Sequence, residues 1–140
     1  MPTDPDNVLV NKAGIIERAL RRMKEEFDAD PRLENFTHLD AMILNIERAC
    51  QSAIDMALHV TAQGHLGIPQ NSADAFLLLE KSGHISPTTA RAMVGMTGFR
   101  NIAIHQYQAL DSEILRTIAA SEYQSLIDFC AELGVRIVPF

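Results

Sequence analysis

The stretch Leu39-Asp-Ala-Met-Ile43-Leu-Asn-Ile46-Glu-Arg-Ala-Cys50-Gln-Ser-Ala53-Ile-Asp-Met-Ala57-Leu-His-Val60 decides the fold class. Its numbered residues recur at steps of three and four, the period of one helix face. A long helix is predicted from Phe36 or Thr37 to Gln63, with Gly64 ending it. Upstream, Val10, Ala13, Ile16, Leu20, Met23 and Phe27 repeat the pattern, widened by Leu9 and Ile15. They predict a helix from Asn7 to Phe27, capped by Asp6 or Asn7 and closed by Asp30-Pro31.

Downstream, Gly64 to Asn71 reads as a loop, because Pro69 cannot continue a helix. Ser72 is the expected cap of a short helix carrying Ala75, Phe76 and Leu79, ended by Gly83. Ser86-Pro87 pairs an N-cap with proline at the first helical position. That helix runs through Ala90, Met93 and Met96 or Thr97 to about Ile104. Gly95 and Gly98 inside it each cost about 1 kcal/mol relative to alanine. They imply close approach of another helix, or weakening just before Arg100. Asp111 is the expected cap of a helix through Ile114, Leu115 and Ile118. Ser121 and Gln124 have the spacing of a capping box for a last helix to Leu133, ended by Gly134. The apolar segment Val135 to Phe140 is expected to pack on the domain or on a second subunit. Strand alternation and internal repeats are absent from the sequence. The prediction is an all-α bundle of about five helices, forming one domain over residues 1–140.

Composition narrows the function. The chain has 140 residues, 47% of them hydrophobic, and a formal net charge of -6. A general nucleic-acid coat protein is usually basic, since phosphate neutralisation supplies most of its affinity. A local basic cleft remains compatible with an acidic total, and Lys12, Arg18, Arg21, Arg22 and Lys24 do cluster in one segment. Apolar runs fall short of the roughly 20 residues that span a bilayer. The segment Met1 to Asp6 lacks the basic and apolar regions of a signal peptide, so a cytoplasmic location and no membrane partner are expected. Cys50 and Cys130 are expected to be buried and reduced. His38, His59, His65 and His84 are scattered. Asp55/His59 and Glu80/His84 have the spacing of simple helix-surface pairs. No metal and no cofactor are expected.

The chemistry concentrates in Arg100-Asn101-Ile102-Ala103-Ile104-His105-Gln106-Tyr107. An arginine and a histidine so near a core-forming segment are costly to bury without a partner or ligand. At about 100° per residue, Arg100 and His105 point roughly 140° apart on an unbroken helix. Asn101 shares a face with His105, and Arg100 with Tyr107. Either the helix loosens near His105, or the charged groups meet through another copy of the chain. RNA carries its own nucleophile, the 2′-hydroxyl beside each phosphodiester. Cleavage needs a base, an acid for the leaving 5′-oxygen, and positive charge on the transition state. Histidine serves either proton transfer near neutral pH, and arginine the charge. One histidine per chain is one short of a two-histidine mechanism, which a symmetric dimer would supply. The same residues are also compatible with mere helix-end and surface contacts.

This segment resembles the Arg-x4-His-x-Tyr signature of the HEPN superfamily, in its HepT-like toxin branch. The resemblance extends over Glu47 to Gln51 and on to His59, Gly67-Ile68-Pro69, Phe76 with Leu79, and the helix before Arg100. It implies a small all-α dimer acting as a metal-independent ribonuclease toxin on messenger or transfer RNA, encoded with a minimal nucleotidyltransferase antitoxin. By that resemblance Arg100 and His105 form the catalytic pair, accompanied by Asn101, and Tyr107 is the hydroxyl that the antitoxin AMPylates. The added phosphate and nucleoside would compete with the RNA phosphate. Two other readings stand beside it. The chain is a non-catalytic nucleotide-binding or scaffold partner of a nucleotidyltransferase, or it is the regulator of a toxic partner.

Overall fold

The structure, a computed structural model, describes residues 6–105 and 111–138, with Ile104 and His105 as backbone only. Among the described residues the chain forms six α-helices: α1 (Asn7–Ala29), α2 (Phe36–Gln63), α3 (Ser72–Lys81), α4 (Pro87–His105), α5 (Ser112–Thr117) and α6 (Gln124–Glu132). The all-α expectation holds. The six helices correspond one to one to the six segments read from the sequence, and a π-helical turn, Ile118–Glu122, lies between α5 and α6.

Helices α1 and α2 form an antiparallel hairpin, which three cross-helix pairs register. His59 Nε2 lies 2.8 Å from the Asp6 carboxylate, Lys12 donates to Asp55 at 2.9 Å, and His38 meets Glu26. Residue numbers rise on one side as they fall on the other. Asp6 also caps α1, accepting from the backbone N–H of Val8 and Leu9. Between the helices, Leu33 takes a left-handed φ of 55°. The Asp30 carboxylate holds this turn by accepting from the N–H of Glu34 and Asn35. Asn35 then caps α2.

The buried stripe of α1 is Leu9, Ala13, Ile16, Leu20 and Met23; Val10, expected in it, is 45% exposed and yields its place to Leu9. It packs on Met42, Ile46, Ala49, Ala53 and Ala57 of α2. Helices α3, α4 and α6 also rest on α2. Phe76 of α3 and Phe129 of α6 meet edge to face, ring centroids 5.3 Å apart, and both are wholly buried. Cys50 and Cys130 are buried and unpaired, as expected.

Several local expectations change. The cap of α3 is Asn71, whose side chain accepts from Asp74 N–H at 2.9 Å, so Ser72 is already helical. Ser121 and Gln124 make no capping box. Tyr123 N–H donates to the Ile118 carbonyl, widening the helix by one residue. Ser121 bonds back to the Thr117 carbonyl and Gln124 to Asp128. Asp55/His59 and Glu80/His84 do not pair: Asp55 holds Lys12, His59 holds Asp6, and His84 sits beside the Ser82 hydroxyl. Gly83 and Gly134 end their helices with φ of 80° and 91°, values that glycine adopts without strain. In the final segment Ile137 is buried and Val138 exposed, so the domain itself receives part of that apolar stretch.

Two predictions follow from these contacts. Phe129→Ala should cost about 3–5 kcal/mol of stability in urea unfolding, by removing a buried ring and leaving a cavity. Glu26, only 7% exposed, has its carboxyl held below the ordinary range by the hydrogen bond from His38, and secondarily by Arg22. A lowered folded pKa stabilises above the ordinary carboxylate range, and that stabilisation is lost as pH falls through the lowered value. Glu26→Gln should therefore be less stable than the parent at neutral pH, with the gap closing in acid. A gap independent of pH would exclude the ion pairs as its cause.

Candidate functional site

Helix α4 starts where Ser86-Pro87 predicts. The Ser86 hydroxyl accepts from Thr89 N–H at 3.1 Å. Glu132, at the end of α6, adds a second clamp: it accepts from the Ser86 backbone N–H at 2.6 Å and from the Thr89 hydroxyl. From there Ala90, Met93, Met96, Phe99 and Ala103 turn into the core. Arg100 falls four residues after Met96 and three before Ala103, which is an inward position on a helix. It is half-buried there and makes no ion pair among the described residues.

Arg100 faces α2 across this interface. Its positive charge acts on Glu47 and on Cys50. Burial raises the half-buried Glu47 carboxyl, and the nearby Arg100 guanidinium opposes the rise. Burial pushes the Cys50 thiol up to about 12, again against Arg100 and reinforced by Glu47. A thiol in that state is a small hydrophobe and not a nucleophile. Glu47 is the group that a reading of local periodicity misses. It flanks the α2 stripe three residues before Cys50, but only the packing of α4 on α2 brings it within electrostatic reach of Arg100.

Asn101 is exposed, on the side of α4 away from the core. The backbone stays helical through His105, so the helix does not loosen between the two. Positions 100 and 105 therefore lie on different faces, while 101 and 105 share one. The side chain of His105 and the whole of Tyr107 lie outside the described residues. The structure thus brings Arg100 to Glu47 and leaves Asn101 at the surface. Gly95 and Gly98 serve no close approach among the described residues, since a Cβ at either meets none of them within 4 Å. The basic cluster of α1 divides: Arg21 pairs with Glu17, Arg22 with Glu25 and Glu26, and Lys24 lies 5.2 Å from the centre of the Tyr123 ring.

The family described as Ribonuclease HepT-like matches residues 13–133. The chain belongs to this HepT-like family. It is 37% identical over 111 residues to the mRNA nuclease HepT of Shewanella oneidensis, an alignment covering 79% of this chain and 84% of that one. The HepT-like fold agrees as well. A chain in the crystal structure of a toxin–antitoxin with AMP-PNP superposes with a TM-score of 0.87 at 32% identity, covering 91% of this chain and 98% of the other. A chain in the structure of a tri-AMPylated Shewanella oneidensis HEPN toxin in complex with MNT antitoxin gives the same TM-score and identity, covering 91% and 97%. Among the described residues, no helix is long and apolar enough to cross a membrane.

If Arg100 presses its charge on Glu47, Arg100→Gln should raise the Glu47 carboxyl pKa further. Carbon-detected NMR titration of the glutamate carboxyls reads this directly. An unmoved Glu47 titration would break the proposed juxtaposition.

Proposed function

We propose that the chain is the toxin of a toxin–antitoxin pair, an endoribonuclease that cuts RNA without a metal ion. Arg100 and His105 act at a cleft shared by two copies of the chain, and a nucleotidyltransferase antitoxin silences it by transferring AMP to Tyr107. The observation that carries the reading is Arg100 itself. A half-buried arginine at an inward position, making no ion pair within the salt-bridge distance among the described residues, keeps its guanidinium donors for an anion such as an RNA phosphate. The relatives' names support the same reading: one is an mRNA nuclease, another an AMPylated toxin held by its antitoxin.

In this mechanism one imidazole takes the proton of the RNA 2′-hydroxyl. The freed oxygen attacks phosphorus, and the bond from phosphorus to the 5′-oxygen breaks. The departing oxygen receives a proton from a protonated imidazole, leaving a 2′,3′-cyclic phosphate and a 5′-hydroxyl. Arg100 balances the charge that develops on the phosphoryl oxygens. Asn101, one helical turn before His105, orients the imidazole. Because positions 100 and 105 lie on different faces of one continuous helix, the two groups converge through a second copy, which also supplies the second histidine. AMP on Tyr107 places a phosphate and a nucleoside beside this cleft and excludes RNA.

The test is cleavage of a labelled RNA in excess EDTA. His105→Ala should lose about 100- to 10,000-fold in rate, as expected for removal of a proton-transfer group. Arg100→Ala should lose about 100- to 1,000-fold, as for removal of a transition-state charge partner. Undiminished cleavage in either variant overturns its assignment. Growth arrest that survives loss of His105 would favour a non-catalytic binding module. For silencing, mass spectrometry after co-expression with the nucleotidyltransferase should find adenylylated Tyr107; an unmodified tyrosine beside active partner and ATP overturns it.

A further inference from the structure

A groove of about 290 Å³ lies between α1 and α2, lined by Ile15, Arg18, Ala19, Arg22, Asn45 and Arg48. Three of its six residues are arginines and none is acidic, in a chain whose net charge is -6. Arg18 and Arg22 come from the basic segment of α1. Arg48 comes from α2, so the groove exists only because the hairpin brings the two helices together. Arg22 is fixed in place by Glu26 at 2.6 Å and Glu25 at 3.1 Å. Arg18 and Arg48 make no ion pair among the described residues and are exposed. Ile15 and Ala19 provide an apolar floor, half-buried and buried respectively.

We propose that this groove holds the phosphodiester backbone of the RNA that the Arg100 site cuts, with Arg18 and Arg48 as its phosphate-binding residues. The assignment rests on the ribonuclease reading above. Two guanidiniums that line one open channel and lack carboxylate partners among the described residues offer forked donors suited to non-bridging phosphate oxygens. The groove lies one residue along α2 from the Arg100 site: Arg48 directly follows Glu47, the residue on which Arg100 acts, so the two point about 100° apart around one turn of α2. A strand crossing α2 there passes from one to the other. An acidic protein segment would neutralise the same arginines, but that occupant has no need of continuity with the Arg100 site.

The test is RNA binding, followed by fluorescence anisotropy of a labelled single strand, in a His105→Ala background that prevents cutting during titration. Arg18→Gln/Arg48→Gln is expected to weaken binding at least tenfold at moderate salt. Its plot of log affinity against log salt should be shallower by about 1.4, that is about 0.7 for each lost phosphate contact. Arg18→Lys/Arg48→Lys should restore the slope, which loss of structure would not. Because both positions are exposed, thermal melting should match the parent, and matching melts exclude misfolding as the cause. Unchanged RNA affinity and slope overturn the proposal, including the case where binding of ATP or of the nucleotidyltransferase is lost instead. The outcome is separable from the nuclease reading: absence of cleavage by the wild type defeats that reading alone, since the binding titration does not require it.

Discussion

The close approach of α1 to α2 is the constraint on which the other helices depend. Ala49, Ala53 and Ala57 stand at four-residue steps along α2 and are wholly buried. Alanine ends at Cβ, so this ridge lets neighbouring backbones approach where a larger side chain would hold them apart. Because α3, α4 and α6 all lean on α2, the spacing set here passes to each of them. The relation of Arg100 to Glu47 is one result. It depends on how closely α4 can settle against α2 and not on any local feature of the Arg100 segment.

Polar pairs then choose one register among those the apolar stripes allow. Lys12–Asp55 and His59–Asp6 are partly exposed, and such pairs add little net stability. Their use is geometric, since a slide of one turn along either helix would part both at once. Glu26 differs because it is buried between two partners, Arg22 and His38. Loss of either partner leaves a charge in a poorly hydrated place. The same carboxylate positions Arg22 at the mouth of the α1–α2 groove, so the hairpin's internal tie also shapes its outer surface.

Much of this was legible in the sequence, and the failures share a cause. Helix bounds at Asn7, Phe36, Pro87 and Ser112 follow from caps and prolines whose effect spans a few residues. The Arg100 to Tyr107 segment stood out because its residue types are chemically unusual near a core, and of these the structure places Arg100 and Asn101 by their side chains. What periodicity could not resolve was partner choice. Asp55 and His59 have the spacing of a pair, yet they find partners 43 and 53 residues away, in Lys12 of α1 and in Asp6, the cap of α1. Ser121 and Gln124 imitate a capping box because their spacing carries no information about the bond from Tyr123 to Ile118. Val10 and Leu9 both suit the α1 stripe, and only the seated position of α2 selects Leu9. Arg48 lies outside the basic run of α1, so a count of charges along the chain leaves out the residue that completes the groove.

The clamp of Glu132 on Ser86 and Thr89 has a consequence for the order in which the protein comes into being. The start of α4 is held by a carboxylate made 46 residues later. On the ribosome, chains emerge at about 5–20 residues per second, so α4 spends seconds without its distant anchor. Until α6 has emerged and folded back, the helix that carries Arg100 lacks one of the two contacts that fix its beginning. A nascent chain translated through this region therefore holds the start of α4 by the Ser86 cap alone, and the second tie forms only after residue 132 has been added.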